Sequence, residues 1–273
     1  MIKKIALIVL VVNSFYNIAY SQIKLKTYTE KIKNGYEIYA DNDEYCDVSI
    51  KIDLTLKNMS SSEETDKVFV VPPRTKKALL LTLKSKKRGK YSYRYKTRYN
   101  LGNHLKKTYD DNYNYYLPSA VGEKFNVNQG YNGATTHKGK NALDFGMPVG
   151  TPIYAIRGGI VIKVVENHDK GCPDEICQRY NNKILICHED GTIAGYVHLM
   201  KDGALVNLGD TIQKGQLIGK SGNTGWTSGP HLHLEVFQQL MGKRLYLKTK
   251  FKIDNGQKSI LLKENSKYKR DYN

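Results

Sequence analysis

A chain of 273 residues with 40% hydrophobic content can hold one large domain or two modest ones with ordinary packed cores. Its formal net charge of +17 favours anionic partners such as nucleic acid, acidic glycans or a bacterial wall, although a solvated lysine-rich surface accounts for the same charge. No nucleic-acid-binding motif is present and the chain starts with an export signal, so a nucleic-acid partner is not expected.

Residues 1–21 read as a cleaved signal peptide. Lys3 and Lys4 form the positive start, Ile5 to Val12 the apolar run, and Ala19-Tyr20-Ser21 the small-x-small site before Gln22. The run is too short to span a bilayer, no cysteine adjoins the cleavage site, and no second long apolar stretch follows. The expectation is therefore a monomer exported to the periplasm, the medium or the cell wall, with no transmembrane anchor.

Residues 22–105 are β-rich and basic. Strands are expected at Tyr36–Ala40, Cys46–Leu56, Val68–Val71, Leu79–Leu83 and Tyr91–Tyr99, separated by turns such as Asp41-Asn42-Asp43 and Arg88-Gly89. Val48, Ile50, Ile52, Leu54 and Leu56 alternate with polar residues, the mark of a half-buried antiparallel strand. The pattern predicts a small β-sandwich-like domain. Its segment YSYRYKTRYN, residues 91–100, either grips a glycan through stacking and charge or packs its tyrosines on one face.

Residues 106–128 are polar and rich in Tyr and Asn, and read as a linker. From residue 129 to 240 glycines are frequent. Short strands are expected at Ile153–Ile156, Ile160–Glu166, Ile184–His188, Thr192–His198, Thr211–Lys214 and His231–Phe237. Such spacing predicts a compact antiparallel barrel or a folded pair of sheets. Residues 241–273 form a strand extension, whose first part packs back and whose basic end frays. The fold class is mainly β.

The four cysteines are Cys46, Cys172, Cys177 and Cys187. Cys172 and Cys177 bracket a short loop with a turn-forming proline and are the expected disulfide. Cys46 and Cys187 either bridge two domains or stay as buried thiols.

The stretch GWTSGPHLHLEVF, residues 225–237, carries the strongest chemical signal. Strand alternation puts His231, His233 and Glu235 on one face and the leucines on the other. Paired imidazoles suit a transition metal, and a polar strand face with two solvated histidines fits the same pattern. Elsewhere His137 lies in TTHKGKNALDFG, seven residues before Asp144, and His198 lies in GYVHLM. A catalytic zinc site needs three protein ligands and one open position, and a His, Asp, His set would leave net positive charge on the metal. No His-Glu-x-x-His helix is present, so the bases should be histidines.

From about Tyr131 to Phe237 the chain resembles the lysostaphin/LytM-type zinc endopeptidases, whose catalytic core has the duplicated hybrid motif fold. HKGKNALDFGMPVGTPIYA, GTIAGYVHL, GDTIQKGQLIGKSGNTG and SGPHLHLEVF carry the resemblance. It implies His137, Asp144 and His233 as zinc ligands and His198 and His231 as catalytic histidines. It also implies a β-barrel-like catalytic domain with a narrow groove, which hydrolyses peptide bonds in peptidoglycan through a zinc-activated water. Many members place the Asp four residues after the first His, and here a longer loop intervenes. Tyr196 and Asn182 are expected to line the groove, packing being the alternative for Tyr196. The Cys172–Cys177 loop is expected beside it. Glu235 is either a partner of the ligands or a solvated carboxylate, and His188 marks an exposed strand end. The rival readings are an inactive LytM-like activator of other wall hydrolases and a wall- or glycan-binding protein that works through residues 22–105.

Overall fold

A computed structural model describes residues 23–273, so the expected signal peptide, residues 1–21, lies outside the described residues. Among these, no helix is long and apolar enough to cross a membrane. The chain is mainly β, and its one helical element among the described residues is a 3-10 segment, Glu175–Tyr180.

In the N-terminal part a four-stranded sheet combines Leu25–Ile32, Gly35–Asn42, Ala78–Ser85 and Met59–Ser61. A three-stranded sheet combines Val68–Val71, Val48–Lys57 and Ser92–Leu101. Both sheets feed one apolar cluster that includes Ile38, Ala40, Val48, Ile50, Ile52, Phe69 and Leu83. Alternation explains the burial: Val48, Ile50 and Ile52 point inward while Asp53 and Thr55 are exposed. Tyr93, Tyr95 and Tyr99 pack against this cluster, so the tyrosines of the basic strand serve the core.

The rest of the chain is organised by a nine-stranded sheet. Its order runs Thr211–Ile212, Gly159–Val165, Lys183–Cys187, Thr192–Val197, Leu232–Leu240, Ala142–Gly146, Lys124–Gln129 and Lys267–Lys269, with Lys243–Tyr246 branching from Leu232–Leu240. The expected barrel closure is not found. The path ends in two short strands, each paired on one side only, and these do not meet. A smaller sheet of Pro152–Tyr154, Leu217–Ser221 and Leu199–Ala204 lies over one face. The main core lies between the two, with Ile153, Leu199 and Ile218 meeting Leu143, Ile184, Ile186, Tyr196, Leu234 and Val236.

Residues 106–128 are not a free tether. Tyr115, Leu117 and Val127 are buried in the main core, and the Arg157 guanidinium lies 4.0 Å from the centre of the Tyr113 ring. Nor does the C-terminus fray. Arg270 and Tyr272 are buried, the Arg270 side chain donates to the Ser119 carbonyl at 2.9 Å, and the Tyr272 hydroxyl accepts from the Leu117 amide at 2.9 Å. The two halves of the molecule meet in a third cluster, where Cys46 packs with Ile162, Leu185, Ile193 and Phe237. Cys46 and Cys187 are both free thiols there, and burial pushes the Cys187 thiol up to about 12.

Candidate metal centre and active-site cleft

The strand Leu232–Leu240 divides its residues between two environments. Leu232, Leu234 and Val236 enter the main core, and His233 and Glu235 face the other way, onto an open cleft. Its antiparallel neighbour Ala142–Gly146 is in register, with Asp144 opposite His233 and Leu143 opposite Leu234. The same alternation therefore brings a carboxylate and an imidazole together and sends their flanking apolar residues inward. His137 comes from the preceding loop, whose turn is closed by the Lys140 amide donating to the His137 carbonyl at 2.7 Å.

Three side chains converge: His137 Nε2, Asp144 Oδ1 and His233 Nδ1. The separations are 3.1 Å between the two imidazoles, 3.2 Å from His137 to Asp144 and 2.9 Å from His233 to Asp144. Among the described residues this trio stands out as a group able to hold a metal ion. The surroundings fit one. A carbonyl can only accept, so the 2.9 Å contact with Gly130 puts the hydrogen on His137 Nδ1 and leaves Nε2 for a ligand. His233 Nε2 faces Glu235 at 3.5 Å, and Arg244 donates to the other oxygen of Glu235 at 2.7 Å. Glu235 is thus a buried partner of His233 rather than a solvated carboxylate. Burial alone would raise the Asp144 carboxyl, yet the His137 and His233 imidazoles packed against it hold it well below the usual carboxylate range. Burial alone would lower His233, yet hydrogen bonds to Asp144 and Glu235 bring it up to about 10. Two carboxylates, Asp144 and Glu235, flank His233, so the pocket attracts positive charge, as a divalent cation would supply.

His198 and His231 flank the trio, their rings 4.6 Å apart, and His231 Nε2 is 3.7 Å from Asp144 Oδ1. His198 Nδ1 donates to the Thr224 carbonyl at 2.7 Å, and His231 Nδ1 donates to the Gly229 carbonyl at 2.8 Å. In a neutral ring this contact places the lone pair on Nε2. Burial, with the nearby His231 and His233, lowers His198 to about 3, so it is neutral throughout the physiological range.

The cleft has a volume of about 1500 Å³, and among the described residues those lining it lie between 129 and 246. One wall is the disulfide loop. Cys172 and Cys177 are bonded, with Cα atoms 5.9 Å apart, and the helical segment that carries Cys177 is capped by the Asp174 side chain. Its short strand Gly171–Cys172 pairs with Gly225–Trp226. Gly225 has φ +83°, and a Cβ there would collide with the Asn181 side chain, so glycine is required where the loop meets the histidine turn.

Two expected groove residues are elsewhere. Tyr196 is fully buried in the main core, where its hydroxyl accepts from the Ile156 amide at 2.9 Å. Strand alternation places it with His198 only if the strand continues, and it ends at Val197. His198 has φ +67°, which turns its side chain to the cleft alongside Val197. Asn182 is also fully buried. It brackets two loops, accepting from the His168 amide and donating to the carbonyls of His168, Leu199 and Met200. Its neighbour Asn181 lines the cleft instead. His188, expected at an exposed strand end, is buried, with Nδ1 donating to the Gly158 carbonyl at 2.8 Å. Sequence reasoning missed Thr227, whose hydroxyl lies 3.3 Å from His231 Nδ1 and donates to the Gly229 carbonyl at 2.7 Å. Its place in the turn before the histidines was the available signal.

Peptidase family M23 matches residues 137–245. Among curated proteins, the peptidoglycan DD-endopeptidase ShyA of Vibrio cholerae is 40% identical over 96 residues, which is 35% of this chain and 20% of that protein. Lysostaphin of Staphylococcus simulans is 36% identical over 94 residues, 34% of this chain and 17% of that one. The chain thus spans about a fifth of the length of these relatives. A solved catalytic domain of Staphylococcus simulans lysostaphin aligns with 46% of this chain and 88% of that one, at 26% identity and a TM-score of 0.34.

Proposed function

Residues 137–245 form a peptidase family M23 domain, homologous to the lysostaphin- and LytM-type metallopeptidases, and from that premise we propose that this chain is an exported zinc endopeptidase acting on peptidoglycan peptides. The observation that carries the reading is the convergence of His137, Asp144 and His233 beside His198 and His231 in an open cleft. His137, Asp144 and His233 hold the metal. When bound there, zinc supplies a Lewis acid that polarises a peptide carbonyl and acidifies a water.

The remaining work falls to the chain's own side chains. His198 and His231 each present Nε2 to the space beside Asp144. One accepts the proton of the attacking water at Nε2 and, as the imidazolium so formed, donates that proton to the leaving amine, while the other Nε2 can accept a hydrogen bond that orients the water. The Thr224 and Gly229 carbonyls fix both rings in the tautomer these roles require. Glu235 and Arg244 hold His233 from behind. We read residues 22–105 as a separate sandwich-like domain. It contributes nothing to the cleft lining, so it leaves the groove open to a long substrate.

The test is mass spectrometry of fragments released from purified sacculi by the protein, with and without a zinc chelator. New peptide termini that disappear with chelation are expected. Intact stem peptides in both samples would overturn the reading in favour of a binding or activating protein.

A further inference from the structure

We propose that Lys163 and Lys183 form a subsite in the cleft floor that binds a carboxylate of the peptide substrate. The inference rests on reading the cleft as a peptide site. Strand register places the two lysines. Lys183 is opposite Val197, Val197 opposite His233, and His233 opposite Asp144, so one transverse row carries Lys183 and the proposed metal ligands. The next row carries Lys163, Leu185, Gly195 and Glu235. Facing residues point to the same side of a sheet, and both lysines line the cleft together with His233 and Glu235. With strands about 4.8 Å apart, Lys183 starts about 10 Å from His233, or about three residues of extended peptide from the reacting carbonyl.

The local charge is unbalanced. Arg244 approaches the same two lysines, making three cations. Glu235, a carboxylate that faces Lys183, has one oxygen on Arg244 and the other toward His233. Glu44, which faces Lys163 from the N-terminal half, is held by the Lys24 amide at 2.6 Å. Neither lysine ammonium has an ion pair or hydrogen bond among the described residues. Both are half-buried, and burial together with the mutual repulsion of the cations lowers both, Lys183 to about 8. Two partly desolvated ammonium groups side by side are costly, and one shared anion removes most of that cost. A carboxylate suits the gap because it can accept from both ammonium groups at once. The small residue opposite Leu185 and Glu235 matters too: a Cβ at Gly195 would lie 3.1 Å from Glu235 Cγ and 3.2 Å from Leu185 Cδ2, so glycine keeps the floor low in the row that carries Lys163 and Glu235.

The experiment uses acetylated pentapeptides of alanine and glycine, with one glutamate scanned through the positions and each paired with its glutamine twin. Binding to the zinc-loaded protein is measured by calorimetry. At one position the glutamate peptide should bind about tenfold more tightly than its twin. In the Lys163→Gln/Lys183→Gln protein, checked for zinc content and melting temperature, that ratio should fall below about twofold. Equal affinity of every twin pair for the wild type would overturn the subsite, whatever the variant does. A preference that persists in the variant would also overturn it, placing the carboxylate elsewhere. Tight, lysine-dependent binding with no cleavage of any peptide or of sacculi would leave the subsite standing and sink the endopeptidase reading instead.

Discussion

The two β regions of this chain follow the same alternation of side chains and bury different things with it. In the N-terminal sheets the inward row of Val48, Ile50 and Ile52 meets Ile38, Phe69 and Leu83, and the result is a dry apolar cluster. In the nine-stranded sheet the core-facing row is equally apolar, with Leu143, Leu234 and Val236, but the opposite row carries Asp144, His233 and Glu235. Those polar groups are mostly buried and each has an assigned partner. Buried, convergent ionisable groups are expensive unless something is bound or reacted there. The contrast separates a scaffold from a site more sharply than the chain's overall positive charge does.

The comparison breaks most severely at Asp144. Asp144→Ala should take the zinc content from one ion to near zero, measured by plasma emission spectrometry, and lower hydrolysis by at least about a thousandfold. Retention of stoichiometric zinc would contradict the ligand set. Next come the flanking histidines. His198→Ala and His231→Ala should keep zinc and lose about a hundred- to ten-thousandfold in kcat on a soluble peptide. Zinc loss in either variant would mean that it is a ligand rather than a proton carrier.

The scaffold side of the comparison responds in the opposite way. Ile50→Ala opens space in a fully buried position of the N-terminal cluster and should cost about 2–5 kcal/mol, read as a lower denaturation midpoint. The folded fraction should turn over at the wild-type kcat, because no lining residue of the cleft comes from that region. A matching fall in kcat would show that the two regions are coupled through the Cys46 and Phe237 cluster.

How much of this was legible in the sequence differs between the same two regions. Alternation alone located Val48 to Leu56 and put His233 and Glu235 on a common face, because each strand is regular there. It did not single out His137 and Asp144 as their partners; the motifs shared with known zinc endopeptidases did that. Alternation misled at Tyr196, because the left-handed backbone of His198 ends the strand one residue early. Asn182 looked like a polar groove residue, and its buried amide is instead spent on three carbonyls brought together by tertiary structure. The ordered C-terminus was hidden for a related reason: Arg270 and Tyr272 find partners about 150 residues away, in a segment that read as a linker. The first strand, Leu25–Ile32, mixes exposed and half-buried residues and gave no periodic signal.

His188 tests whether a buried histidine outside the cleft belongs to the scaffold. Burial lowers it to about 4, and it is a neutral donor to Gly158 in the folded protein. The unfolded chain binds a proton there below about pH 6.5, so unfolding becomes easier as pH falls from that value, and the loss stops growing below about pH 4. At about 1.4 kcal/mol per unit the full effect is at most about 3.5 kcal/mol. Denaturant titrations should show His188→Gln with a flatter acid limb than the wild type over that window. Parallel limbs would show that other groups control acid stability.

The smallest effect is expected at Thr227, and it asks how far the site extends beyond the five residues the motifs supply. The Thr227 hydroxyl accepts from the Gly229 amide at 3.2 Å, donates to the Gly229 carbonyl at 2.7 Å, and lies 3.3 Å from His231 Nδ1. It therefore stiffens the turn whose carbonyl selects the His231 tautomer. Thr227→Val keeps the shape and removes the hydroxyl, so zinc content should be unchanged and kcat should fall about tenfold, with KM nearly constant. Thr227→Ser, which restores the hydroxyl, should recover most of the loss. A rise in KM without a fall in kcat would instead place Thr227 on the substrate, as part of the cleft wall it shares with Trp226 and Ser228. Rescue by serine together with a kcat effect is the combination that only orientation of His231 explains.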